Sequence, residues 1–375
     1  MQKYTLEFPG KVVLGEGVLA RIHNFLPEQT RRVLVLVGNS AIKNQIDARL
    51  KEYLSDLELS FLPLPPGEPK VAALMPVIEQ CRHLKRFDAV AAAGGGSVID
   101  SGKIIAAMLT NSGELTDYHA GKLSLHHNKV FTIAIPTVSG AGAEVSPNAV
   151  LTAGDNSYKK SIRSQLLIPE VALIDSELTA TLPRNLTVQG GFDALTQAIE
   201  SFSGKAANWS TLGFSIQAFR NIFTGLPGAA VNDRECRFAL AEGAMLAGLA
   251  LQSGLGAVHA LAHPIGLTYQ LPHGLVCGIL LPEVLAANLA QAPGYLDYLA
   301  GSLGIKGSGE LIKLIRQLQT NLQLPVKFSP STLNENDYPA IVAQAKQSRN
   351  MQNNPVVLSD EALNKILRKV TATNE

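Results

Sequence analysis

The sequence predicts an α/β domain with a mainly parallel sheet over residues 1–182, followed by an all-α domain over residues 183–375. Three observations carry this. Short β-branched or Ala-rich runs alternate with helical patterns up to about residue 180, which reads as βαβ units. Strand signals cease after Leu182-Pro183-Arg184. The 375 residues, 46% hydrophobic and 17% charged, describe a globular chain long enough to bury two cores.

In order along the chain, Met1 to Phe8 alternates like a strand and lacks the apolar run of a cleaved leader, so it is expected in the mature protein. Strands are expected at Arg32 to Val37, Ala89 to Ala93, Val130 to Ile135 and Val171 to Asp175. Helices are expected between them at Gln45 to Leu54, Val71 to Leu84 and Ser97 to Leu109. In the second half, helical patterns run from Thr187 to Phe202, Ser210 to Phe223, Asp233 to Gln252 and Val276 to Leu289. Others lie near Glu310, Asn334 and Asp360, and there is no internal repeat.

Charge narrows the partners. With 32 Lys and Arg against 31 Asp and Glu, the net charge of +1 selects neither nucleic acid nor an anionic membrane. Cys81, Cys236 and Cys277 are few, odd in number and widely spaced, which fits a reducing, cytoplasmic setting and gives neither a disulfide framework nor a Cys-rich metal site. Gly243 to Pro282 contains no Asp, Glu, Lys or Arg, yet it is interrupted by His259, His263, His273 and two prolines. A buried core lined by a site explains that pattern better than a membrane span.

Ala89-Val-Ala-Ala-Ala93 runs into Gly94-Gly95-Gly96-Ser97, and Val98-Ile99-Asp100-Ser101-Gly102-Lys103 opens an apolar helix. A glycine turn between a strand and a helix N-terminus lets backbone N–H groups approach a phosphate. Five residues separate Gly96 from Gly102, and Ile104 follows Lys103, so the loop is not a nucleoside-triphosphate loop of the Walker type. The G-x-G-x-x-G fingerprint is also missing after Val33 to Val37. A second Gly-rich loop, Pro136-Thr137-Val138-Ser139-Gly140-Ala141-Gly142-Ala143-Glu144, ends the next strand. Ligands of open parallel sheets bind beyond the carboxyl ends of strands, so the two loops are expected to line one crevice.

His259 and His263 share a helix face at i,i+4, and His273 follows within fifteen residues. Asp193 and Gln197 share a face of an earlier helix. Buried carboxylate and imidazole groups with no nearby cation to pair with suit a divalent metal with an open coordination position.

Gly94-Gly95-Gly96-Ser97 with Asp100 and Lys103, the Pro136-Thr137 loop ending in Ala143-Glu144, Gly191-Phe192-Asp193-Ala194-Leu195, and His259-Ala-Leu-Ala-His263-Pro-Ile-Gly266 with Pro272-His273-Gly274 form an ordered set. Together they resemble the iron-containing (group III) alcohol dehydrogenase family across most of the chain, and Asn354-Pro355 is similar to the family's late helix entry. The resemblance implies a dehydroquinate synthase-like architecture, an N-terminal dinucleotide domain and a C-terminal helical metal-binding domain, with metal and nicotinamide meeting in the cleft. It implies that Gly95, Gly96 and Ser97 hold the pyrophosphate, that Thr137 lies near the adenine and Lys159 near the nicotinamide ribose, and that Gly38, Asp100 and Val138 belong to the same cofactor set. Asp193, His259 and His273 match metal ligands, and His263 matches a histidine near the substrate with a catalytic proton role.

Two departures stand out. Gln197 occupies a position where the family usually has histidine, giving an Asp/Gln/His/His set for one divalent metal, zinc expected ahead of iron. No acid follows the strand at Val37-Gly38-Asn39-Ser40, so NADP is expected alongside NAD. The glutamine also resembles a branch acting on the sugar acid 3-deoxy-D-manno-octulosonate (Kdo), the Kdo 8-oxidase type, in which the terminal C8 alcohol becomes an aldehyde during lipopolysaccharide biosynthesis. The implied activity is hydride transfer between an alcohol carbon and a nicotinamide. The implied partners are a small-molecule alcohol or sugar-acid substrate and, as an assembly, a homodimer. Two alternatives are a lyase similar to 3-dehydroquinate synthase and a non-catalytic dinucleotide-binding protein with a decayed metal site. The uncharged Gly243 to Pro282 stretch argues against the lyase, which needs a Lys/Arg cluster for a substrate phosphate.

Overall fold

A computed structural model describes residues 4–84, 86–154, 158–329 and 332–371, without the side chain of residue 43. The chain divides into two compact units, Met1–Leu182 and Pro183–Glu375.

Among the described residues the first unit holds eight strands: β1 Lys11–Gly15, β2 Arg32–Val37, β3 Glu58–Pro63, β4 Ala89–Gly94, β5 Phe131–Pro136, β6 Asn148–Thr152, β7 Lys159–Arg163 and β8 Val171–Asp175. Six form one sheet in the order β1-β8-β5-β4-β2-β3, with every pairing parallel. A parallel sheet covered by helices is buried on both faces, and β2 shows why its sequence is apolar throughout. Leu34 and Leu36 pack into the cluster containing Val90, Ile104 and Ile105, whereas Val33, Val35 and Val37 pack into the opposite cluster with Ile133 and Ile135. β6 and β7 form a separate antiparallel ribbon.

The strands expected from β-branched and Ala-rich runs appear as β2, β4, β5 and β8, within a residue of their expected ends. The N-terminal expectation is corrected. Met1 to Lys3 lie outside the described residues, residues 4–9 carry no regular structure, and the first strand is β1, whose pairing with β8 decides its position. β3 and β7 have no buried residue and β7 is largely polar, whereas β6 buries Ala149, Leu151 and Thr152 but is only five residues long and begins on Asn148.

The second unit is helical. Arg184–Ser203, Trp209–Ala230, Arg234–Ala250, Ala257–Tyr269 and His273–Gln291 surround a core that includes Phe192, Leu195, Phe219, Leu261 and Leu280. The Trp209–Ala230 helix continues through Pro227, beyond the expected end at Phe223, because Leu226 and Ala229 are fully buried there. His273 opens its helix, three residues ahead of the expected start at Val276. That helix is long and apolar enough to cross a membrane by length and composition, but Val276, Cys277, Leu280 and Leu281 are buried in the core of this unit. Asn354 is not a helix entry. It follows the short Arg349–Asn353 helix, and its side chain is spent on Ala257 N–H, Asn288 and the Val356 carbonyl.

Candidate metal centre and cofactor loops

Asp193 and Gln197 lie one turn apart on the Arg184–Ser203 helix, and Glu200 lies a further turn along the same face. The His273–Gln291 helix crosses this one closely. A Cβ on Gly274 would lie 2.1 Å from the Gln189 carbonyl oxygen and 3.3 Å from the Asp193 Cβ, so only glycine permits the approach that sets His273 beside Asp193. His259 comes from Ala257–Tyr269, whose first amides are satisfied by Asn354 Oδ1 on Ala257 and Glu200 Oε1 on Val258.

The donor atoms converge. Asp193 Oδ1 is 3.4 Å from His259 Nε2 and 3.6 Å from His273 Nε2. Cys277 Sγ is 3.6 Å from His273 Nε2, and one donor atom from each of Asp193, His259, His273 and Cys277 lies within 4.8 Å of the others. His263 completes the aromatic group, its ring centroid 6.3 Å from that of His259 and 5.4 Å from that of His273.

His259 is oriented from behind. Its Nδ1 lies 2.6 Å from Glu200 Oε2, and because a carboxylate only accepts, Nδ1 carries a proton and Nε2 is the nitrogen that faces the cluster, where a metal would take the place of a second proton. Burial disfavours a charged imidazole, yet Cys277, Asp193 and Glu200 outweigh it and hold the His259 pKa well above its ordinary value. Burial likewise pushes the Cys277 thiol up, but His273 and His259 beside it bring it below the usual cysteine value. The pocket favours an added positive charge. His259 Nε2 and Gln197 Oε1 are buried atoms without a hydrogen-bond partner among the described residues. Unsatisfied buried acceptors are costly, and a cation satisfies both, so the residues present fit a divalent metal.

In the first unit, Gly38, the Gly94-Gly95-Gly96-Ser97 turn and Thr137-Val138 follow β2, β4 and β5, three adjacent strands, at their carboxyl ends. Thr137 is fully buried, its N–H donates to the Gly94 carbonyl at 2.9 Å, and its hydroxyl lies 2.6 Å from that of Ser40. The glycines differ in what they do. A Cβ on Gly94 or Gly38 would press to within 2.7 or 2.6 Å of the Val98 side chain, so both are needed for strand-helix packing. A Cβ on Gly95 would meet Val138 at 3.5 Å and one on Gly96 would meet Ala141 at 3.4 Å, ordinary contacts, and neither glycine has positive φ. Packing leaves these two glycines unexplained, and their position at the start of the Gly96–Met108 helix would let a phosphate approach the backbone N–H groups.

Lys159 Nζ is 2.5 Å from Glu68, part of a loop whose Leu64, Gly67 and Lys70 line a small pocket with Ser97 and Ser101. Asp100 is engaged inside the protein. Its Oδ2 accepts the Val150 N–H at 2.9 Å and its Oδ1 is 3.0 Å from Lys103 Nζ, which also donates to the Ser146 and Asn148 carbonyls. Asp100 and Lys103 thereby tie the Gly96–Met108 helix to β6 and the residues before it.

Residues 9–176 match the family described as iron-containing alcohol dehydrogenase, and residues 187–371 match the C-terminal domain of the Fe-containing alcohol dehydrogenase family. The chain belongs to the iron-containing alcohol dehydrogenase family. It is 28% identical to the NAD-dependent methanol dehydrogenase of Bacillus methanolicus, over 96% of this chain and 98% of that protein. It is 30% identical to an alcohol dehydrogenase of Thermococcus barophilus, over 87% of each chain. The structure of sulfoacetaldehyde reductase from Bifidobacterium kashiwanohense in complex with NAD+ is similar at a TM-score of 0.93, with 25% identity and full coverage of both chains. As an iron-containing alcohol dehydrogenase, the protein is an oxidoreductase acting on alcohol carbons with a nicotinamide dinucleotide and one metal.

Two members of the site escaped the sequence reading. Glu200 stands seven residues after Asp193, a spacing that marks a shared helix face but gives no sign of its partner. Cys277 stands at i+4 from His273, a spacing that marks a shared helix face, but a lone cysteine carries no metal-site signal by itself.

Proposed function

We propose that this protein is a metal-dependent dehydrogenase that oxidises a terminal alcohol to an aldehyde, with the C8 hydroxyl of Kdo as the substrate position. The observation that carries the reading is the convergence of Asp193, His259 and His273 around His259 Nε2 and Gln197 Oε1, buried atoms with no hydrogen-bond partner among the described residues. We assign Asp193, Gln197, His259 and His273 as the metal-holding residues. Gly38, Gly95, Gly96, Ser97, Thr137, Val138 and Lys159 form the dinucleotide site, with Asp100 positioning its helix. Held by these residues, a divalent cation would supply Lewis acidity and a nicotinamide dinucleotide would supply the hydride chemistry. Asp193 provides the carboxylate charge that holds the cation, and Glu200 fixes the tautomer of His259. His263, beside both other histidines, takes the proton released from the hydroxyl.

Gln197 supports the sugar-acid assignment as the departure shared with that branch. The absence of a carboxylate at Gly38-Asn39-Ser40 supports use of NADP as well as NAD, since nothing there repels a 2′-phosphate. The three free cysteines fit a cytoplasmic setting.

The test is to load the purified chain with zinc or iron and incubate it with Kdo and either dinucleotide. Nicotinamide reduction with stoichiometric trapping of a C8 aldehyde is expected. Oxidation of simple primary alcohols without oxidation of Kdo would overturn the substrate assignment and leave the dehydrogenase.

A further inference from the structure

We propose that Cys277 is itself a ligand of the divalent cation, so that the centre carries a sulfur donor and prefers zinc or another thiophilic ion to iron(II). The inference rests on the metal-site reading above and adds to its ligand set. Cys277 lies one helical turn after His273, fully buried, with Sγ 3.6 Å from His273 Nε2 and in one group with Asp193 and His259. Those separations are the edges of a coordination polyhedron. With Zn–N and Zn–O bonds of about 2.0–2.2 Å and Zn–S of about 2.3 Å, a tetrahedron has donor-donor edges of roughly 3.3–3.6 Å. The observed edges are 3.4 Å and 3.6 Å from Asp193 Oδ1 to the two imidazoles, and 3.6 Å from sulfur to His273.

A second observation points to a ligand independently of the cysteine. His259 is 1% exposed and its Nε2 has no hydrogen-bond partner among the described residues, while Glu200 holds its other nitrogen. Cys81 shows what a merely packed cysteine looks like here. It sits in an apolar cluster with Leu74 and Ile78, and burial pushes its thiol up to about 11. Cys277 instead shares its pocket with two imidazoles and a carboxylate. Zinc sites expand from four to five ligands, so the amide oxygen of Gln197 and the thiolate do not exclude one another. Thiolate donors select zinc, cobalt and cadmium over the harder first-row ions.

The experiment loads the full-length protein with one equivalent of Co2+ and records its spectrum. Visible d–d bands together with a near-ultraviolet thiolate-to-cobalt charge-transfer band are expected. C277S should keep the d–d bands and lose the charge-transfer band, and its affinity for Cd2+ should fall about 10-fold more than its affinity for Mn2+. A charge-transfer band that survives in C277S, or d–d bands without one in the wild type, would overturn the role of Cys277 and leave the metal site standing. Absence of any cobalt spectrum in the wild type would overturn the metal site and this proposal with it. X-ray absorption on the zinc-loaded wild type needs no variant: a sulfur shell at about 2.3 Å is expected, and a purely N/O shell refutes the proposal.

Discussion

Glu200 Oε2 lies 2.6 Å from His259 Nδ1, while the other oxygen of the same carboxylate accepts the Val258 N–H at 2.6 Å. One buried acid thus fixes both the start of a helix and the tautomer of the imidazole that the helix carries. Neither task needs Glu200 to touch a substrate, and both decide where the lone pair of His259 points.

Glu200→Gln keeps an acceptor for Val258 but replaces the acceptor at Nδ1 with an amide that can donate. Metal affinity should fall about 10–100-fold, the usual cost of losing such a supporting carboxylate, with the helical fold retained. Competition with a chelator measures this, and equal affinity in the two proteins would refute the orienting role.

Gln197 separates function from stability. Its Oε1 is buried without a hydrogen-bond partner among the described residues, so Gln197→Leu should stabilise the metal-free protein by about 1–3 kcal/mol while weakening metal binding. Gln197→His should raise metal affinity and improve acceptance of iron. Denaturant unfolding of the apo proteins, paired with metal titrations, checks both directions. Full metal occupancy in Gln197→Leu would remove the amide from the ligand set.

Adjacent glycines should fail in different ways. Gly94→Ala brings a Cβ within 2.7 Å of the stiff Val98 side chain and should cost about 1–3 kcal/mol of stability. Gly95→Ala meets only an ordinary contact with Val138, so its melting temperature should hold while dinucleotide affinity drops. Calorimetric titration with NAD and NADP decides the second case. Unchanged affinity would detach the glycine turn from the cofactor.

Glu144 should make stability depend on pH. Burial raises its pKa from 4.5 to about 7, so between these values the folded protein binds more protons than the unfolded chain. Its contribution is complete below 4.5 and is lost as pH rises through about 7, a change of about 3 kcal/mol. Relative to Glu144→Gln, the wild type should therefore lose that much stability between pH 4.5 and pH 8, read from denaturant midpoints. A constant difference between the two proteins would show that Glu144 titrates normally.

Whatever depends on local period and composition is legible in the residues alone. Uniformly apolar runs marked β2, β4, β5 and β8, and glycine between a strand and a helix marked the phosphate-type turn. The i,i+4 spacings put Asp193 with Gln197 and His259 with His263 on shared faces, because a helix fixes those relations within four residues. Which faces meet is settled by long-range packing. Gly274 passing against the Gln189 carbonyl, Glu200 reaching across to a histidine 59 residues away, and Cys277 closing on His273 and Asp193 all depend on how helices cross. Asp100 likewise read as a cofactor residue from its motif, and it was the packing of its helix against β6 that gave its carboxylate to Lys103 and Val150. Crossing geometry follows from long-range burial and the fit of small residues against backbone, and neither leaves a period in the sequence.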